Sequence, residues 1–290
     1  MRRSLSALAL AIGLPIASAG AMEFAGSVPT GGYTSGDIGT SPCNDPLAAL
    51  GKPDPLNGAS LGYPTVLNPF SPPWEPSQIV AIGQGGSLTL HFASPHSIKA
   101  APQIGVFTTA GLNDPAFNGS PGPVAQTFTG LEYGAERSAL VEVADSSGVF
   151  HSVGRVKFAS PTNYYNNTTG PYSFPAPSPA SEADFAKPFT APTSAFDGKT
   201  FSQVLDVFDG SAGGTWITIP ADLGISEFEY IRFSQPLWIL PDYSTAVARE
   251  SLYSNAMKNA DLFVDAVVAV PEPGIGLALL GVVLLGRRRR

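Results

Sequence analysis

Proline and glycine set the first limit on this chain. It carries 28 prolines and 31 glycines in 290 residues, about a fifth of the total where about 12% is usual. Proline fixes φ and removes a backbone donor, and glycine is entropically costly inside regular elements, so most of the sequence between them falls into short runs. Long coiled helices are excluded. Short strands joined by turns are what such punctuation permits. Hydrophobic residues at 43%, with 10% aromatics, supply enough apolar surface to offset chain entropy, which separates the chain from disordered ones.

The strand signals begin at residue 79. An apolar run over 79–82 and a turn, Gly83-Gln84-Gly85-Gly86, precede Ser87-Leu88-Thr89-Leu90-His91-Phe92, where Leu88, Leu90 and Phe92 share one face. The pattern reads as a hairpin with one buried face. Further strands are expected over 104–108, 139–144, 149–156, 215–219, 228–233 and 263–270. Several short strands without intervening helices point to an all-β, antiparallel sandwich in a single domain, 22–270. Residues 22–78 form a Pro/Gly-rich lead-in that packs Phe70 and Trp74 by their rings. Residues 160–199, rich in Pro, Ser and Asn, are expected as a surface insertion. Residues 243–260 are the one helix-permissive stretch.

The two ends carry transport chemistry. Arg2 and Arg3, an apolar run over 5–16 and small residues up to Ala21 have the three regions of a secretory signal peptide, residues 1–21. At the other end stand Pro271-Glu272-Pro273, thirteen uncharged residues over 274–286, and Arg287, Arg288, Arg289 and Arg290. As a helix the apolar run spans about 20 Å, short of a hydrocarbon core of about 30 Å unless the flanks help. The four arginines resist translocation and hold the tail in the inner membrane. Between the ends, residues 22–270 contain 10 basic and 22 acidic side chains, a net charge of −12. That balance excludes nucleic acid as a partner. The lone Cys43 leaves the exported domain without an internal disulfide.

The tail resembles the PEP-CTERM sorting signal of bacterial exosortase substrates: Pro271-Glu272-Pro273 corresponds to its motif, 274–286 to its membrane segment, and Arg287–Arg290 to its cytoplasmic stop. The resemblance implies signal peptidase and exosortase as partners in export, transient anchoring in the inner membrane through a C-terminal sorting helix, and delivery to the cell surface or extracellular matrix. Stretches of the body, among them Asn68-Pro69-Phe70-Ser71-Pro72-Pro73-Trp74, 79–92, 139–144, 228–233 and 261–267, resemble surface proteins with such tails. Those proteins are similar to discoidin or galactose-binding-like jelly-roll sandwiches, which implies a jelly-roll-like body with long Pro/Gly-rich loops. In that family the last strand tends to read Gly-Phe-Asp-Leu-Asp-Ala-Val. Here Phe263 takes the place of its middle acid, which weakens a metal or ligand role for that strand.

Chemistry-bearing constellations are sparse. His91, His96 and His151 show no metal-binding spacing, and no G-x-S-x-G elbow is present. Asp206, Asp209, Asp222, Glu227, Asp261 and Asp265 could supply oxygen ligands to a bound Ca²⁺, without a recognisable calcium loop among them. Sugar faces stack on exposed rings, and Trp74, Tyr164 and Tyr165 are the candidate ligand-binding residues, the tyrosines forming an exposed patch. The sequence thus predicts a non-enzymatic structural or adhesive protein. A carbohydrate-binding module for exopolysaccharide is the alternative, and a polysaccharide hydrolase a weaker one.

Overall fold

The computed structural model describes residues 22–38, 41–57, 65–113, 126–128, 137–166, 181–235 and 262–270. Its strands are, in chain order, β1 (Glu23–Phe24), β2 (Tyr33–Thr34), β3 (Leu56–Asn57), β4 (Thr65–Val66), β5 (Val80–Ile82), β6 (Ser87–Ser97), β7 (Gln103–Thr108) and β8 (Gly111–Asn113). They continue with β9 (Gln126–Phe128), β10 (Ser138–Ala144), β11 (Phe150–Lys157), β12 (Tyr165–Asn166), β13 (Ser181–Glu182), β14 (Thr215–Thr218), β15 (Glu227–Ser234) and β16 (Leu262–Val270), with one α-helix, α1 (Phe201–Phe208), before β14. The signal peptide at 1–21, the helix-permissive 243–260 and the tail at 271–290 lie outside the described residues.

Two five-stranded sheets carry the fold, with antiparallel pairing throughout. The first runs β1-β16-β7-β14, with β5 also paired to β16; the second runs β11-β10-β15-β6-β2. The all-β, antiparallel reading holds, and the strands expected from alternation fall within a residue of the observed ends, except that β6 continues to Ser97. The expected hairpin is corrected. β5 pairs with β16 in the first sheet, whereas β6 pairs with β15 and β2 in the second. The Gly83–Gly86 turn therefore carries the chain from one sheet to the other. Alternation identifies a strand without naming its neighbour, which is why the sequence could not separate the two arrangements.

The core lies between the sheets. Val80, Ile82, Ile104, Val106, Ile217, Val264, Val267 and Ala269 face inward from the first sheet, and Leu88, Leu90, Phe92, Val141, Val143, Phe228, Ile231 and Phe233 from the second. A bulge keeps β16 in phase with this core. The register against β7 shifts between Val264 and Ala266, so Asp265 is an extra residue that lets both Val264 and Val267 point inward while Ala266 and Val268 face the other side.

That other side is covered too. Phe107, Ala266 and Val268 pack under Leu67, Tyr164, Tyr165, Ala183 and Phe185, and Phe189, Phe196, Phe201, Val204 and Phe208 form an adjoining cluster. The described parts of the expected surface insertion, 160–166 and 181–199, are thus corrected to a third layer: their Tyr164, Phe185 and Phe196 are fully or almost fully buried, each worth about 2 kcal/mol of apolar burial. Helix α1 completes the layer. Its Phe201, Val204 and Phe208 stand at i, i+3 and i+7, and Thr200 with Gln203 closes a capping box, the Thr200 N–H donating to Gln203 Oε1 at 2.9 Å. Gly105 on β7 leaves room for the Trp216 ring opposite it, whose atoms come within 3.0 Å of where a Cβ would sit.

Candidate functional site

The tail motif leaves the fold from an interior strand. β16 is hydrogen-bonded along one side to β7, with Val270 opposite Gln103, and along the other to β1 and β5, with Glu23 opposite Ala269. Residues Ala266 through Ala269 have no solvent exposure. Pro271 follows Val270 directly, so Pro271, Glu272 and Pro273 begin where the sheet ends. Because β1 and β16 are antiparallel, the chain enters at Met22 and leaves at Val270 on the same end of the sheet, about 5 Å apart. Glu23 is tied down there: its Oε1 accepts the N–H of Ala93 at 2.5 Å and of Ser94 at 3.2 Å. Among the described residues no helix is long and apolar enough to cross a membrane.

The bulge in β16 holds a buried carboxyl. Asp265 is 3% exposed and accepts the Tyr164 hydroxyl on Oδ2 at 2.5 Å. Burial pushes Asp265 up to about 8; the Tyr164 hydrogen bond opposes this and the Asp54 charge adds to it. Tyr164 is raised well above the ordinary phenol by burial first and by Asp265 second, and Tyr165 is pushed up to about 12 by burial and the charges of Glu182, Asp54 and Asp265. A neutral acid hydrogen-bonded to a neutral phenol fits this environment. The signal was in the sequence, since a lone acid inside an otherwise apolar strand must be satisfied internally.

The three aromatic candidates separate. Trp74 is 45% exposed, which leaves it free to stack and corrects the expectation that its ring packs; its neighbour Phe70 does pack, against Phe201 at 5.5 Å. Tyr164 and Tyr165 are buried. The expected tyrosine patch does not exist, because both rings are needed to cover Phe107 and the outer side of the first sheet.

The second sheet presents a partly exposed outer row that sequence reading missed. His91 lies opposite Ser27 on one side and Tyr230 on the other, stacks on Tyr230 with centroids 4.6 Å apart, and is 3.2 Å from Ser27 Oγ and 3.7 Å from Glu229. The Ser27 N–H is already committed to the His91 carbonyl, so the grouping has no spare backbone donor there for an oxyanion. Arg232 pairs with Glu142 at 2.7 Å and covers the Phe150 ring at 3.8 Å. His96, by contrast, is buried against Phe92 and Phe228, and burial lowers it, with Glu23 at 3.5 Å pulling the other way. Cys43 is a buried free thiol raised by burial, with a smaller opposing hydrogen bond from Ser41.

The calcium candidates scatter. Asp265 is occupied with Tyr164, Asp209 with Lys187 at 2.7 Å, and Asp261 lies outside the described residues. No group of three or more His, Cys, Asp or Glu side chains that could hold a metal occurs among the described residues.

Comparison with known proteins places the tail and leaves the body without a counterpart. No curated protein and no solved structure matches the chain. Residues 269–290 match the PEP-CTERM protein-sorting motif, and the match begins inside β16, at Ala269. That motif marks the chain as an exosortase-targeted exported protein, anchored transiently in the membrane on its way to the surface.

Proposed function

We propose that the mature protein is a structural or adhesive module of the cell surface or extracellular matrix, built on a jelly-roll-like sandwich of the discoidin or galactose-binding kind. One observation carries the reading: the sorting motif is continuous with the central strand of a sandwich whose first sheet is buried on both faces. In this reading residues 1–21 are a signal peptide removed by signal peptidase, 274–286 enter the inner membrane, and Arg287 to Arg290 stay on its cytoplasmic side. The module is assigned no catalytic step of its own. Turnover on a polysaccharide panel, abolished by replacing one carboxylate, would replace the proposal with a hydrolase.

Sorting is tested at its two chemical ends. Glu272→Ala, or removal of Arg287 to Arg290, is expected to leave a precursor of higher mass in the membrane fraction. An unchanged mature mass and location would sink the proposal.

The exposed Trp74 favours a second reading, binding of extracellular polysaccharide. Trp74→Ala is then expected to weaken binding to the matrix glycan about tenfold, the scale of one stacking ring. Its unfolding free energy from urea melts should fall by only about 1 kcal/mol, since the side chain is already 45% exposed. Equal glycan binding by the two proteins would remove this reading and leave the structural one.

A further inference from the structure

The order of folding and tail removal is written into where the sorting motif begins, and the inference rests on the sorting assignment above. A peptidase ordinarily needs its substrate extended and free along several residues on either side of the cut. Here the residues before Pro271 are extended but not free. Val264 and Ala266 through Val270 are paired to β7, and Val268 and Ala269 also to β1. Ala25 adds a further bond, its N–H donating to the Val267 carbonyl at 2.9 Å. Presenting these residues to an enzyme means withdrawing an interior strand, which exposes Val264, Val267, Val268 and Ala269 and breaks both flanking ladders. Such a change approaches global unfolding rather than local fraying.

We propose that the sandwich is folded, with β16 in place, when the tail is removed, and that recognition begins at Pro271, so that the sheet end acts as a stop beyond which the processing enzyme cannot read. The peptide bond broken lies at the Val270–Pro271 junction or after it. Water supplies the hydroxyl that ends on the carbonyl carbon and the proton taken by the departing amine of the tail, and β16 is retained whole in the product. The same geometry orients the domain. Met22 and Val270 emerge side by side, so the sheet end bearing Gln103 and Thr218, which pair with each other, faces the membrane while the tail is still inserted.

The test uses the full chain in cells that process it. Intact mass and C-terminal peptide mapping of the mature protein are expected to place its last residue at Val270 or later. A Gly-Ser-Gly-Ser spacer inserted between Val270 and Pro271 moves the obstructing sheet away. It should raise the rate of tail removal several-fold, with the cut keeping its distance from Pro271. A mature C-terminus anywhere within 262–269 would overturn the proposal while leaving the sorting assignment intact. So would a spacer variant that is no longer processed, because the enzyme would then be reading Ala269 and Val270. A wild-type chain and a Glu272→Ala chain that both keep full mass would instead overturn the sorting assignment, and the proposal with it.

Discussion

Unfolding of the mature domain between pH 5 and pH 9 should show stability falling toward the alkaline side in wild type and holding level there in Asp265→Asn. The folded carboxyl keeps its proton up to about pH 8, whereas the unfolded one loses it near 3.8. Between those values the folded state binds the extra proton, so each step up in pH costs stability, and the loss is complete once pH exceeds about 8. From pH 5 to 8 the expected loss is about 4 kcal/mol, a large part of the 5–15 kcal/mol that holds a typical domain together. Asparagine keeps an oxygen for the Tyr164 hydroxyl and cannot ionise. His96 adds an acid limb of opposite sign. Burial lowers it, so the unfolded histidine protonates first as pH falls below 6.5, and stability drops until the folded pKa is passed. His96→Gln should remove that limb and leave the alkaline one. A wild-type profile flat from pH 5 to 9, or an Asp265→Asn profile with the wild-type slope, would refute the buried neutral acid.

The alkaline limb also shows what the sequence could and could not carry. The strands were legible because Leu88, Leu90 and Phe92, or Val141 and Val143, repeat at the period of a half-buried sheet. The third layer was not, since Tyr164, Phe185 and Phe189 sit in proline-rich segments with no period, and only the sheet beneath them gives them something to cover. Composition made 160–199 look solvated. A handful of well-placed rings make its described parts, 160–166 and 181–199, a covering layer. Helix α1 hid for a related reason, being two turns long, though the spacing of Phe201, Val204 and Phe208 behind a Thr-x-x-Gln cap was there to be read. The phase shift at Asp265 is subtler still: strict alternation through 262–270 would turn Val267 and Ala269 away from the core, and only the register against β7 reveals the bulge. Of the site, the tail was readable because its signal is linear. That its first residues are also the last residues of an interior strand required the pairing of β16.

The corner between the sheets should tolerate substitution poorly, and Gly36→Ala is the substitution that shows it. Gly36 lies at φ +67°, and a Cβ there would sit 2.4 Å from the Gly86 nitrogen and 2.6 Å from the carbonyl oxygens of Gly83 and Gln84. Those atoms belong to the turn that carries the chain from β5 to β6. They are held in place by the Asp37 N–H on the Gln84 carbonyl at 3.0 Å and the Gly83 N–H on the Ser35 carbonyl at 2.7 Å. Backbone cannot swing aside as a side chain would, so relief of the clash must break one of these bonds or pull the sheets out of register. Left-handed strain contributes about 1 kcal/mol and overpacking about 3. Gly31 supplies the control: its φ is +73°, yet nothing lies within 4 Å of its missing Cβ. Gly31→Ala should therefore cost only the strain, about 1 kcal/mol, and Gly36→Ala about 4, read as the shift in urea midpoint at unchanged m-value. Equal losses at the two glycines would mean that backbone conformation alone is at stake and that the corner is not closely packed. A loss about 3 kcal/mol larger at Gly36 than at Gly31 would make the close backbone contact between 34–38 and 83–86 the pin that aligns the sheet bearing β16 with the sheet bearing β6.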